Sequence, residues 1–176
     1  LDTVMGLTSV SLGHAYEPVI ERVKQELDKG VNFQRPSSIE MEMAEKFLSL
    51  VPQHQMIKFA KNGSTITTAA VKLARAYTGK KLVAFPHDHP FYSYDDWFIG
   101  STPCNKGVPE EIQKLSVTYK GDDLQSLSQL FEKYPNQIAC VISEPEKDNY
   151  LSKNYIQEAI DLAHKNGALY IVDEMI

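Results

Sequence analysis

The sequence predicts an α/β fold in which a mostly parallel sheet is covered by helices on both faces. From residue 56 onward, short apolar runs alternate with amphipathic runs of helical length. The short runs are almost uniformly apolar, which is typical of parallel strands that are buried on both faces. The 176 residues, 43% hydrophobic and 23% charged, suffice for one good-sized domain with a core.

The first 52 residues precede this alternation and are predicted to form an N-terminal segment with two helices. Residues 1–16 are apolar and small, and we expect them to form a strand or an extended segment. Pro18 opens the first amphipathic helix. Ser37 and Glu40 have the spacing of a capping box in front of the second helix.

The alternating part of the chain predicts where a ligand would lie. In a parallel sheet of this kind, ligands bind beyond the carboxyl ends of the strands. One connection is long and rich in proline and aromatic residues, and such loops are usually functional. The predicted strands are 56–60, 82–86, 115–119, 138–143 and 168–173, the predicted helices are 64–77, 123–133 and 152–165, and the long connection is 86–114.

The turn Lys61-Asn62-Gly63-Ser64-Thr65, between a predicted strand and a predicted helix, is the most informative motif. Gly63 allows a ligand to approach the backbone closely, and the helix that follows begins with unpaired N–H groups and a positive dipole end. This predicts a phosphate site with the Ser64 hydroxyl as an additional donor. The alternative is an ordinary turn in which Ser64 caps the helix. The turn is neither a P-loop nor a dinucleotide-binding fingerprint.

Other conspicuous polar groups also follow predicted strands. Asp173 ends an apolar strand; it either serves as a cap or salt-bridge partner, or pairs with a protonated heteroaromatic nitrogen. His89 is a candidate for lying against a planar ligand, with a surface loop histidine as the alternative. His87 and His89 lack a third metal ligand nearby in sequence, so no metal site is predicted. Glu144 precedes Pro145 after the fourth strand, and its role stays open.

Composition and charge argue against several classes of partner. The net charge is −5 with no run of basic residues, so neither nucleic acid nor a membrane surface is expected as a partner. The aromatic residues of the long connection lack interleaved basic residues, so we expect them to pack within the loop rather than stack on bases. Cys104 and Cys140 have no metal-ligand spacing, and Cys140 is expected to pack as a small hydrophobe in a reducing, cytoplasmic setting.

Both ends of the chain are expected to lie within a longer polypeptide. The sequence opens on Leu1 rather than methionine, and it stops at Ile176 directly after an apolar strand. A buried strand needs covering elements on its faces, so we expect further chain to supply them.

The order of these motifs resembles that of the class III aminotransferases, which use pyridoxal 5'-phosphate (PLP), and most closely the glutamate-1-semialdehyde aminomutase group. The resemblance runs the length of the chain, beginning with the segment from Val4-Met5-Gly6 through Leu12-Gly13-His14-Ala15 and Pro18. Its most specific parts are Ala74-Arg75-Ala76-Tyr77-Thr78-Gly79 and Asp173-Glu174-Met175-Ile176 in combination. Glu144-Pro145 with the nearby Asn149 is similar to the family's Glu-Pro and Asn.

The resemblance implies a role for each candidate residue. The glycine and serine of the turn would hold the cofactor phosphate, and His89 would stack on the pyridine ring. Asn149 would hydrogen-bond the ring hydroxyl. Asp173 would be the catalytic residue, because pairing with the pyridine nitrogen keeps the ring protonated and makes it a better electron sink. The implied cofactor-binding residues are Asn62, Gly63, Ser64, His89, Glu144, Asn149 and Asp173.

The resemblance also implies the fold and assembly of the intact protein. The chain would be a truncated large cofactor domain of a fold-type I PLP enzyme, which is aspartate aminotransferase-like. Residues 1–52 would be its N-terminal segment and helices, and residues 53–176 part of the PLP-binding large domain. Family members are dimers with sites at the subunit interface, so a homodimer is expected.

Three departures from the family pattern leave the substrate open. The family's Ser-Gly-Thr-Glu turn reads Asn62-Gly63-Ser64-Thr65 here, and its Tyr-His-Gly reads His89-Pro90-Phe91. Glu146 follows the Glu-Pro pair where an apolar residue is common. The choice between a mutase and a transaminase therefore stays open, and a sugar or other small-metabolite aminotransferase is included.

The family's Schiff-base lysine follows the aspartate strand, and no lysine of this chain matches its motif. This piece alone is therefore not expected to catalyse. The predicted function is the cofactor-binding portion of a PLP-dependent aminotransferase or aminomutase acting on a small amino or carbonyl metabolite similar to glutamate-1-semialdehyde. The alternatives are a non-catalytic binding or assembly domain on the same scaffold, and a phosphate- or nucleotide-binding enzyme without PLP.

Overall fold

Residues 3–145 and 154–175, described by a computed structural model, fall into two units. The first unit ends at Lys58, and the second runs from Phe59 to Met175. All four strands of the described sheet belong to the second unit. No helix within the described ranges is both long and apolar enough to cross a membrane.

The first unit contains the two predicted helices. α1 (Glu17–Leu27) begins with a proline in its first turn, as the sequence predicts. α2 (Ser38–Leu50) follows the predicted capping box, in which the Ser37 backbone N–H donates to Glu40 Oε2 at 2.8 Å. This reciprocal cap satisfies N–H groups that a helix start leaves unpaired.

Two predicted extended segments are wrong. Residues 3–15 form successive turns, because Met5 and Leu7 have φ angles of 52° and 55°, in the left-handed region that a strand cannot use. Residues 56–60 form no strand of the described sheet, and the Met56 side chain is 87% exposed. An apolar run becomes a strand only where a neighbouring strand takes its backbone hydrogen bonds.

The second unit is the predicted α/β sheet. Its four strands are all parallel and lie in the order β2-β1-β3-β4, and each begins and ends within one residue of its prediction. Two short helices interrupt the long connection. In chain order the elements are α3 (Gly63–Thr78), β1 (Leu82–Pro86), α4 (Asp96–Ile99), α5 (Glu110–Gln113), β2 (Ser116–Tyr119), α6 (Leu124–Lys133), β3 (Ile138–Ser143), α7 (Tyr155–Lys165) and β4 (Leu169–Val172).

The sheet has a hydrophobic core on each face. Val141 and Ile142 are adjacent on β3 and point to opposite faces, and both are fully buried. The Val141 face packs against α6 and α7, and the Ile142 face packs against α3 and the aromatic residues of the long connection. Cys140 is free and buried, as predicted, and burial raises the pKa of its thiol to about 12.

The carboxyl ends of the strands define the edge where a ligand is expected. From β1 the chain runs to β2 on one side and later to β3 on the other, so β1 and β3 flank the point where the strand order reverses. In open α/β sheets this crevice is the usual binding site. The residues that follow β1 and β3 include His89 and Glu144.

Candidate functional site at the carboxyl edge of the sheet

Asn62, rather than Ser64, caps α3. The Asn62 side-chain oxygen Oδ1 accepts hydrogen bonds from the Thr65 backbone N–H at 2.9 Å and from Thr65 Oγ1 at 3.0 Å. The alternative in which Ser64 is the cap is therefore wrong, because Ser64 is already the second residue of the helix. The Thr65 hydroxyl is therefore engaged in this local cap through its hydrogen bond to Asn62 Oδ1.

The start of α3 offers donors to an anion. In the part of the chain that the structure describes, the backbone N–H groups of Gly63 and Ser64 have no acceptor. Ser64 Oγ accepts a hydrogen bond from the Tyr94 backbone N–H at 3.3 Å, so its own hydrogen is available for donation. Two N–H groups, one hydroxyl and the positive end of a 16-residue helix are the kind of donor set that anions bind in proteins.

Asp173 follows the last residue of β4. Its backbone N–H donates to the Ser143 carbonyl at 2.9 Å, which extends the ladder between β3 and β4. Burial raises the pKa of the Asp173 carboxyl, and a hydrogen bond of 3.1 Å from the Met175 N–H to Oδ1 opposes this rise. No salt bridge described in this structure includes Asp173. A nearby cationic group would stabilise the ionised form of such a half-buried carboxylate.

Met175 connects the turn to Asp173. A side-chain carbon added to Gly63 would lie 2.8 Å from the terminal methyl group of Met175, so the two residues are in direct contact. Met175 is two residues beyond Asp173, which places the turn and the carboxylate at the same edge of the sheet. Met175 belongs to the predicted motif at residues 173–176, but the sequence assigns it no role, because its contact partner Gly63 is far away in the chain.

His89 lies in the aromatic cluster after β1. Its ring centroid is 4.8 Å from that of Phe98 and 5.1 Å from that of Phe85, with interplanar angles of 71° and 82°. Nδ1 lies 2.7 Å from the Pro90 carbonyl oxygen, so the hydrogen is on Nδ1. His87 instead reaches the Tyr119 carbonyl, and the described residues contain no group of three side chains suited to a metal.

Glu144 and His89 line one small pocket of about 40 Å³, together with Tyr92. Burial raises the pKa of the Tyr92 phenol far above its usual value; the Glu144 backbone opposes this rise, and the nearby carboxylates of Glu144 and Asp173 add to it. Tyr92 therefore lies close to both acids. Asn149 lies outside the described residues, so its predicted place at the ring hydroxyl stays a prediction.

Comparisons with known proteins identify relatives of the chain. No protein-family model matches the chain. Over its full length, however, the chain is 33% identical to the glutamate-1-semialdehyde 2,1-aminomutase of Sulfurihydrogenibium azorense and 31% identical to that of Hyperthermus butylicus. The chain is a homologue of part of these aminomutases. It spans 44% of the length of each.

Solved structures show the same fold. An omega-transaminase from Sphaerobacter thermophilus superposes with a TM-score of 0.89 at 25% identity, over 98% of this chain and 44% of that enzyme. The PLP internal aldimine form of the Sphingopyxis sp. MTA144 FumI protein superposes with a TM-score of 0.80 at 27% identity, over 90% and 39%. The predicted resemblance and the fold class, part of a fold-type I PLP aminotransferase, are confirmed.

Proposed function

We propose that this aminomutase homologue is the cofactor-binding portion of a PLP-dependent aminotransferase or aminomutase that acts on a small amino or carbonyl metabolite. One observation carries the proposal: a helix start with available N–H donors and a half-buried carboxylate lie at the same sheet edge, connected by the contact between Gly63 and Met175. The relatives are named as aminomutases and transaminases, which supports the same reaction class.

The donor set fits PLP. A phosphate needs hydrogen-bond donors, and the start of α3 supplies two backbone N–H groups and the Ser64 hydroxyl. A pyridine nitrogen that carries a proton needs an anionic acceptor, and Asp173 supplies it at the other end of the site. When bound, PLP supplies an electron sink for the electrons of the bond that breaks in the substrate.

The remaining candidate residues orient the ring in this proposal. Asn62 fixes the turn by capping α3, and His89, held against Phe98, would supply a flat imidazole to the ring. Glu144 lines the same small pocket as Tyr92, where it would add negative charge to the edge. Asp173 keeps the proton on the ring nitrogen, and Asn149 would donate to the ring hydroxyl.

Proposals about the whole protein go beyond this portion. Because the chain spans 44% of its aminomutase relatives, we propose the activity for a polypeptide that also contains the Schiff-base lysine. Residues 53–176 would belong to its cofactor domain and residues 1–52 to its N-terminal segment. We further propose a cytoplasmic homodimer. The substrate class covers the semialdehydes of the relatives' name and other small amino metabolites.

The test is PLP binding by the full-length protein. We expect a yellow protein whose colour borohydride fixes, and Ser64→Ala should raise the dissociation constant for PLP about tenfold, because a charge-assisted hydrogen bond is lost. Ser101→Ala is the control, since it removes a hydroxyl that bonds the Phe98 carbonyl far from the turn in sequence. A colourless protein would contradict the proposal and favour the non-catalytic binding domain.

A further inference from the structure

The first turns of α3 are hydrogen-bonded to the long connection after β1. Thr67 Oγ1 lies 2.9 Å from the Tyr92 carbonyl oxygen, and the Tyr94 backbone N–H donates to Ser64 Oγ at 3.3 Å. Both pairs join residues about 25 to 30 positions apart in the chain. Hydrogen bonds as well as packing therefore fix α3, which carries the phosphate turn, to the loop that carries His89.

Thr68 is the centre of this arrangement. Its Oγ1 lies 2.7 Å from Trp97 Nε1 and 2.6 Å from Asp95 Oδ2. An indole N–H only donates and a carboxylate only accepts, so the order of donation is fixed from Trp97 to Thr68 to Asp95. Replacing the threonine hydroxyl by a methyl group would break both bonds at once.

Ser93 completes the cluster. Its side chain is fully buried, its Oγ accepts from the Asp95 backbone N–H at 3.0 Å, and it lies 3.3 Å from Thr68 Oγ1. Trp97 is also buried, in the aromatic core that contains Phe98. Directional bonds of this kind, one of them to a charged group, fix the rotation and height of a helix more narrowly than apolar packing does.

We propose that Thr68, with Ser93, Asp95 and Trp97, is a positioning cluster that fixes the distance between the phosphate turn and His89. Thr68 is one helical turn beyond Ser64, and the loop partners begin four residues after His89. The cluster meets the phosphate turn at Ser93, whose Oγ lies 3.5 Å from the Ser64 carbonyl oxygen, so it acts by positioning the turn rather than by binding the cofactor itself. This inference rests on the proposed PLP function.

The test compares variants of the full-length protein. Thr68→Val is expected to raise the dissociation constant for PLP at least tenfold, because the turn and the loop lose their fixed spacing. Thr68→Ser keeps the hydroxyl and should restore binding to within about threefold of wild type. Thr78→Val is the matched control, since it removes a hydroxyl that donates to the Ala74 carbonyl at 2.7 Å at the other end of the same helix.

A second variant and a second readout guard against simple misfolding. Asp95→Asn keeps the shape and an acceptor oxygen but removes the charge, and it should raise the dissociation constant severalfold. The indole N–H resonance of Trp97 is assigned in the full-length protein by its loss in Trp97→Phe. That resonance should move upfield in Thr68→Val and stay in place in Thr78→Val.

The outcomes separate the two proposals. If the wild-type protein binds no PLP, the proposed function and the positioning role both fail. If the wild type binds PLP and Thr68→Val binds it as tightly as Thr78→Val does, only the positioning role fails. Weaker binding in Thr68→Val, with recovery in Thr68→Ser, supports the cluster even where both valine variants lose similar thermal stability.

Discussion

Asp173 illustrates how a residue suited to binding a cationic group can lower the stability of the folded protein. Burial raises the pKa of its carboxyl above the ordinary value of 3.8, which means that the native state disfavours the ionised form. One backbone N–H from Met175 compensates in part. Carboxylates with pKa values shifted by burial are frequent at functional sites.

The pKa shift predicts a pH-dependent effect of Asp173→Asn on the PLP-free protein. A raised folded-state pKa makes the native state bind protons more tightly than the unfolded state, so the contribution of Asp173 to stability falls as the pH rises from 3.8 through the folded-state value. Asp173→Asn should therefore be more stable than wild type at pH 7 and equal to it near pH 3, in denaturant unfolding.

Asp123 provides a control of opposite sign. Its carboxylate accepts from the Ser126 backbone N–H at 3.0 Å, and this bond holds the pKa of Asp123 below its ordinary value. Its contribution is present above pH 3.8 and is lost as the pH falls through the lower folded-state value. Asp123→Asn should thus lose stability at pH 7. If Asp173→Asn behaved in the same way, the burial explanation for Asp173 would be wrong.

At the scale of elements, Asn62 caps the start of α3, where the proposed phosphate site lies. The cap satisfies the N–H group of Thr65 and leaves the two preceding N–H groups, those of Gly63 and Ser64, for an anion. In the proposed site, the first turn of the helix therefore combines a structural function with a binding function. The two functions respond differently to charge.

Two substitutions at Asn62 should separate these functions. Asn62→Ala removes the cap and should lower the free energy of unfolding by about 1 kcal/mol. Asn62→Asp keeps the capping oxygen and suits the helix dipole, so the PLP-free protein should retain its stability. The added negative charge should nevertheless weaken PLP binding by repelling the phosphate. Tighter binding in Asn62→Asp than in wild type would argue against phosphate at this turn.

At the scale of the whole molecule, the sheet forms the rigid base that aligns the two ends of the site. β3 pairs with β1 on one side and β4 on the other, so it connects the strand before His89 to the strand before Asp173. Its residues are buried throughout. A loss of packing on β3 should therefore displace residues on both sides of the crevice.

Truncations of Ile142 test this dependence. Ile142 is fully buried on the face that packs against α3 and the aromatic residues. Ile142→Val should cost about 1 kcal/mol in chemical unfolding and Ile142→Ala about 3 kcal/mol, because the larger deletion leaves a larger cavity. Val141→Ala on the opposite face should also destabilise. Equal stability of the valine and alanine variants of Ile142 would show that the core relaxes to fill the space.

The sequence determined the local elements and the chemistry at their ends. Hydrophobic period and turn residues predicted β1 to β4 and α3 to within one residue, and the turn at Gly63 and Ser64 was predicted from its residue types alone. These signals are readable because strand burial and helix initiation depend on nearby residues. The order of motifs was also enough to indicate the aminotransferase family, which the relatives confirm.

Only the tertiary structure decided the features that depend on distant residues. It showed that residues 56–60 pair with no strand of the described sheet and that Met175 contacts Gly63. It also showed that the Thr68 hydroxyl accepts a hydrogen bond from Trp97 and donates one to Asp95. Each of these depends on which segments the fold brings within hydrogen-bonding or packing distance. Composition and periodicity carry no information on such pairings, because they describe one segment at a time.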